Sequence, residues 1–154
     1  MRKLLLVVAA FLLAACGPGV ISAREAWARP TAAGGTAAVY FELANRTAED
    51  DILTAVTSEI ARVIEMHHSM GADELDGMVA NSGGEGEPET DVMVMAPLAK
   101  LEIRSGEKIV FEPGSYHLML IDLQRELIAG DQFSITLHFE DAADLEILVN
   151  VLSP

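Results

Sequence analysis

Apolar and polar positions alternate with a period of two in several short stretches of this chain. In KIVFE (residues 108–112) and FSITLHF (133–139) every second side chain is large and apolar, the pattern of a strand that buries one face. YHLMLIDL (116–123) puts Tyr116, Leu118 and Leu120 on one face and His117, Met119 and Ile121 on the other. The same reading from residue 20 onward predicts nine strands, at 20–27, 36–43, 52–57, 63–67, 91–96, 108–111, 116–122, 133–139 and 145–151. Turn-forming pieces such as RPTAAGG, NRTAEDD, RSGEK and EPGS separate them. LQRELIAGD (123–131) is expected to form one helical turn or a short loop ending at Gly130. Short strands at this spacing predict an all-β fold, an antiparallel β-sandwich or barrel in a single domain.

Two segments break the pattern. In residues 1–15, Arg2 and Lys3 precede an apolar run too short to cross a bilayer as a helix, which is the shape of an export signal. LAAC (13–16) resembles the lipobox of bacterial lipoproteins, in which cleavage falls just before the cysteine and the sulfur receives a diacylglycerol. The second segment, 71–90, is rich in Gly, Glu, Asp and Ser. Its only large apolar residues are Leu75, Met78 and Val79, too few to bury much surface, so it is expected to be an acidic loop. The expected organisation is a lipoprotein signal peptide at 1–15 and an anchor cysteine with a short linker at 16–19. A β-sandwich domain follows at 20–154, with the acidic insertion at about 71–90.

Composition narrows the chemistry. Cys16 is the only cysteine among 154 residues, which excludes a disulfide or a cysteine metal cluster within one chain. A lipidated Cys16 is also no thiolate ligand. The formal charge is −14, and without Arg2 and Lys3 it becomes −16, eight basic residues against 24 acidic. Such a surface repels phosphates, so no nucleic-acid partner is expected and membrane contact runs only through the lipid anchor. No enzyme is expected either. Ser115 and His117 share a strand face, but no nucleophile elbow surrounds them, and NSGGEGEP lacks the lysine and helix of a phosphate loop.

Methionine is the unusual residue. Six remain besides Met1, namely Met66, Met70, Met78, Met93, Met95 and Met119, and five of these fall between 66 and 95 beside His67 and His68. Neutral, polarizable thioether sulfur together with imidazole favours copper, Cu(I) above all, whereas zinc would want more nitrogen, thiolate or carboxylate. The competing reading is packing, since alternating methionines as in DVMVM (91–95) also fill cores. His138 reads as a structural or surface histidine. In a strand His68 points away from His67, so at most one of the two joins a given site.

At MHHSM (66–70), MAPL (95–98) and YHLML (116–120) the chain resembles the periplasmic copper chaperones of the PCu(A)C family, small cupredoxin-like β-sandwiches that bind Cu(I). That family's signature is a His, a Met in an MRP context, twenty-one intervening residues, and then His-x-Met. Residues 96–116 supply the interval between Met95 and His117, and Met119 follows. RVIEMH (62–67) makes His67 the matching first histidine. AWARPTAAGGTAAVYFELAN (26–45) and LIAGDQFSITLHFE (127–140) extend the likeness over nearly all of the mature domain. Two features depart from the family. His67 and Met95 enclose 27 residues, well above the usual interval, and Ala96 stands where the family has Arg. Spacing alone would nominate Met78; the context of Met95 and its distance from His117 favour Met95.

The resemblance implies that His67, Met95, His117 and Met119 hold Cu(I), with His68, Met70, Met78 and Met93 as auxiliary ligands. It implies a periplasmic carrier, tethered through Cys16, that passes copper by ligand exchange to a copper-accepting protein. That acceptor would be the copper centre of a terminal oxidase or a second copper chaperone. The alternative is a structural or interaction lipoprotein with no metal function.

Overall fold

The computed structural model describes residues 19–70 and 94–153. They form ten strands and, among the described residues, no helix: β1 (Ile21–Ala28), β2 (Ala37–Asn45), β3 (Asp51–Thr57), β4 (Ala61–Met70), β5 (Val94–Leu98), β6 (Leu101–Ile103), β7 (Lys108–Phe111), β8 (Tyr116–Leu123), β9 (Gln132–Phe139) and β10 (Leu145–Val151). All ten join one sheet in the order β5-β4-β8-β7-β2-β1-β10-β9-β3-β6, which curls into a nearly closed barrel. Pairing is antiparallel except where β1 runs beside β10 and β7 beside β8. The all-β, single-domain expectation holds.

Strand parity fills the interior. Ala37, Val39, Phe41 and Leu43 of β2, Phe133, Ile135, Leu137 and Phe139 of β9, and Leu118 and Leu120 of β8 are all buried. Among the described residues the buried apolar core runs from Ala26 to Val151. β8 changes parity once. Asp122 has a positive φ of 58°, uncommon for a non-glycine residue, and beyond it Leu123 turns inward. The partner strand follows, burying Ala61 in place of Arg62. The Arg62 Nε–Asp122 Oδ2 pair, 2.7 Å apart, spans this point.

Three segments differ from the sequence expectation. LEI (101–103) is a strand, pairing with β3, although three residues are too few to show a period. β4 runs to Met70 because β5 covers its second edge. β5 ends at Leu98 and includes Pro97, which an edge strand tolerates since one side needs no donor. Residues 123–131 take the loop alternative. Leu127 is 1 % exposed, and its N–H and C=O both pair with Thr31, at 2.9 and 3.0 Å, which leaves no backbone group for a helical turn.

Two buried polar side chains fasten the sheet. Asn45 is fully buried; its Nδ2 donates to the carbonyls of Glu49 (2.8 Å) and Ile103 (3.0 Å), and its Oδ1 accepts from Thr47 N–H (2.9 Å) and Oγ1–H (2.7 Å). The Asp51 carboxylate accepts from the N–H groups of Ile52 (2.7 Å), Asp141 (3.1 Å) and Ala142 (2.9 Å). Burial pushes its pKa up, but the backbone donors of Ile52, Asp141, Ala142 and Glu140 outweigh it and hold the carboxyl below its ordinary value.

Candidate metal centre

The candidate centre lies on three adjacent strands, β5, β4 and β8. Between β4 and β8 the register sets His67 opposite His117, and Glu65 opposite Met119. Between β4 and β5 it sets His67 opposite Pro97, and Ser69 opposite Met95. Directly opposed residues in an antiparallel pair share a face, and diagonal ones lie about 7–8 Å apart. His67, His117, Met119 and Met95 are therefore on one face, with the two histidines side by side and each methionine diagonal to His67. Met66, Leu118 and Leu120 occupy the other face and are buried in the core.

The imidazoles of His67 and His117 stand 5.7 Å apart between centroids and are tilted by 53°. That spacing is in the range one ion can bridge with two metal–nitrogen bonds of about 2 Å. His117 is only 5 % exposed, and its Nδ1 lies 3.0 Å from the Ser115 carbonyl oxygen. A carbonyl only accepts, so Nδ1 carries the proton and Nε2 keeps its lone pair. His67 is the mirror case. Its Nε2 lies 2.8 Å from Glu65 Oε2 and donates to it, while its Nδ1 is buried without any hydrogen-bond partner. An unpaired buried nitrogen is costly, and its lone pair suits a hydrogen-bond donor or a metal ion.

His138 is the contrast. Its Nδ1 lies 3.0 Å from Asp144 Oδ2 and its Nε2 2.8 Å from Thr57 Oγ1. Both nitrogens are occupied, as suits a histidine that holds structure together. No three His, Cys, Asp or Glu side chains converge among the described residues. Met95 is 58 % exposed on the edge strand, whereas Met119 is half-buried. A groove of about 880 Å³ lined by Thr57, Ile60, Arg125, Phe133 and Thr136 lies elsewhere and contains none of these four residues.

His68 points to the opposite side of β4 and stacks on Tyr116, with ring centroids 4.1 Å apart at 12°. Met70 ends β4. Met78, Met93, Cys16 and the acidic segment 71–90 lie outside the described residues. Sequence reasoning missed Glu65. The signal was present in E-x-H on one strand, where parity puts both side chains on one face.

This architecture, an all-β curled sheet, is that of PCuAC domains. It matches the copper-bound PCuAC domain from PmoF2 with a TM-score of 0.65 at 21 % identity, covering 90 % of this chain and 97 % of that one. The solution structure of CuI-DR1885 from Deinococcus radiodurans matches with a TM-score of 0.53 at 20 % identity, over 90 % and 81 % of the two chains. The chain belongs to the LpqE-like family, described as "Putative lipoprotein LpqE-like", whose model matches residues 21–151. Among relatives, "Uncharacterized protein RP573" of Rickettsia prowazekii is 30 % identical over 131 residues, 82 % of this chain. The chain spans 62 % of the length of that relative. "Putative lipoprotein Lxx21020" of Leifsonia xyli subsp. xyli is 26 % identical over 131 residues, covering 85 % of this chain and 69 % of that protein.

Proposed function

We propose that this chain is a copper carrier that binds one Cu(I) through His67, His117, Met95 and Met119 and surrenders it by ligand exchange. The observation that carries the reading is the pair of adjacent, largely buried imidazoles. Each keeps one nitrogen free of any hydrogen bond among the described residues, and both share a face with two thioethers. Two neutral nitrogens and two neutral sulfurs suit a soft monovalent ion and leave its single charge in place. The likeness in fold to PCuAC domains, one of them copper-bound, points the same way.

The exposure gradient gives the exchange a direction. His117 is 5 % exposed and Met95 58 %, so an incoming ligand meets Met95 first, on a strand that ends the sheet among the described residues. The buried histidines let go last. The acceptor is a protein with a copper site of stronger donors, a terminal-oxidase copper centre or a second chaperone. The carrier itself is held at an extracytoplasmic membrane face by a lipid on Cys16, in keeping with its lipoprotein family.

The test is a Cu(I) competition titration against a chromogenic chelator under anaerobic, reducing conditions, on the domain from residue 17 onward. His117→Ala and Met119→Ala are titrated beside it. One tight equivalent that both variants weaken supports the carrier. Binding indifferent to both residues would sink it.

A further inference from the structure

Glu65 lies two residues before His67 on the same strand face, opposite Met119, and its carboxylate meets the imidazole at 2.8 Å. A carboxylate accepts and does not donate, so the proton it engages sits on His67 Nε2. The alternative tautomer would set the Nε2 lone pair against carboxylate oxygens and bury an N–H at Nδ1 with nothing to receive it. Both terms are unfavourable. His117 reaches its own tautomer through a backbone carbonyl. Glu65 is thus the side chain that settles the protonation pattern of the pair. Its carboxylate engages the nitrogen of His67 across the ring from Nδ1, so it stands behind the imidazole and leaves Nδ1 open.

We infer that Glu65 is a positioning residue for the copper ion, holding His67 as the Nε2–H tautomer so that an unprotonated Nδ1 faces the metal. The inference rests on the copper reading above and adds to it the residue that prepares the first histidine. An acid behind a ligating imidazole fixes ring orientation and raises its basicity, and losing such a partner costs about 10–100-fold in metal affinity. The Glu65 side chain is 44 % exposed, so its replacement leaves the core intact.

The test has two arms on the domain from residue 17 onward. The first is ring nitrogen–proton correlation NMR of the metal-free protein. Wild-type His67 is expected to carry its proton wholly on Nε2, and Glu65→Gln, which keeps an acceptor oxygen, to match it. Glu65→Ala is expected to give mixed tautomers, and Glu65→Lys, which presents a donor, to move the proton to Nδ1. The second arm is the Cu(I) competition titration, in which Glu65→Ala binds about 10–100-fold more weakly and Glu65→Gln stays within a few-fold of wild type. A His67 tautomer unmoved in both the Ala and Lys variants overturns the inference, as does unchanged affinity in Glu65→Ala. Wild-type protein that takes up no Cu(I) overturns the copper reading instead, and the metal-free spectra keep the two failures apart.

Discussion

Replacing His67 with leucine is expected to stabilise the metal-free protein while removing its copper binding. The reasoning starts from Nδ1, buried and unpartnered, which costs about 1–3 kcal/mol of desolvation without return. Against this stands the Nε2–Glu65 hydrogen bond. The carboxylate is 44 % exposed, so solvent screening limits the bond to roughly 0.5–1 kcal/mol. The His67 side chain is only 15 % exposed, so leucine at this position also removes apolar surface from water. The net is a gain of about 1 kcal/mol, or roughly 3 °C in Tm for a domain of this size. Thermal unfolding by circular dichroism, with and without Cu(I) under reductant, reads both effects. Wild type should gain about 2.7 kcal/mol when free Cu(I) stands at 100 times Kd, and His67→Leu should gain nothing. A metal-free His67→Leu variant that is less stable than wild type by 1 kcal/mol or more would refute the reasoning, because a histidine kept for structure would be missed.

Other outcomes follow from the same geometry. Met95→Leu is expected to weaken Cu(I) binding in the competition titration while leaving stability within about 0.5 kcal/mol, since an exposed edge side chain contributes little packing. Asp51→Asn should cost about 1–2 kcal/mol at neutral pH, because it replaces the charged acceptor of three backbone N–H groups with a neutral amide. The Asp51 pKa is lowered by folding, so its contribution is complete above the unfolded value near about 4 and is lost as pH falls through the folded one. Urea midpoints for wild type and Asp51→Asn should therefore converge as pH falls below about 4. Asn45→Ala strips four hydrogen bonds from a fully buried site and is expected to cost about 3 kcal/mol in chemical denaturation.

Much of this arrangement is legible in strand parity. The period of two in YHLMLIDL separates His117 and Met119 from Leu118 and Leu120 before any fold is known, and the structure keeps that division. Parity says nothing about which strand lies alongside. The meeting of His67 and His117 comes from the pairing of β4 with β8, fifty residues apart, which no local pattern encodes; the resemblance at RVIEMH, not periodicity, brought His67 forward. The Ala61–Arg62 and Asp122–Leu123 reversals are likewise invisible to a uniform period, because a single positive φ at Asp122 turns the later side chains over. β6 is too short for a period, and Pro97 hides the end of β5 by looking like a strand breaker. Glu65 is one of 24 acidic residues, and no local pattern sets it apart until His67 is placed. Its role appears only once His67 Nδ1 is seen to be orphaned.

The most direct test of the central claim is X-ray absorption at the copper edge on the Cu(I)-loaded domain, after desalting to remove loosely held ion. A mixed shell of imidazole nitrogen and thioether sulfur is predicted, with Met95→Leu and Met119→Leu each reducing the sulfur contribution. A shell of nitrogen and oxygen alone, or no copper retained, would contradict a His/Met carrier built on β4, β5 and β8.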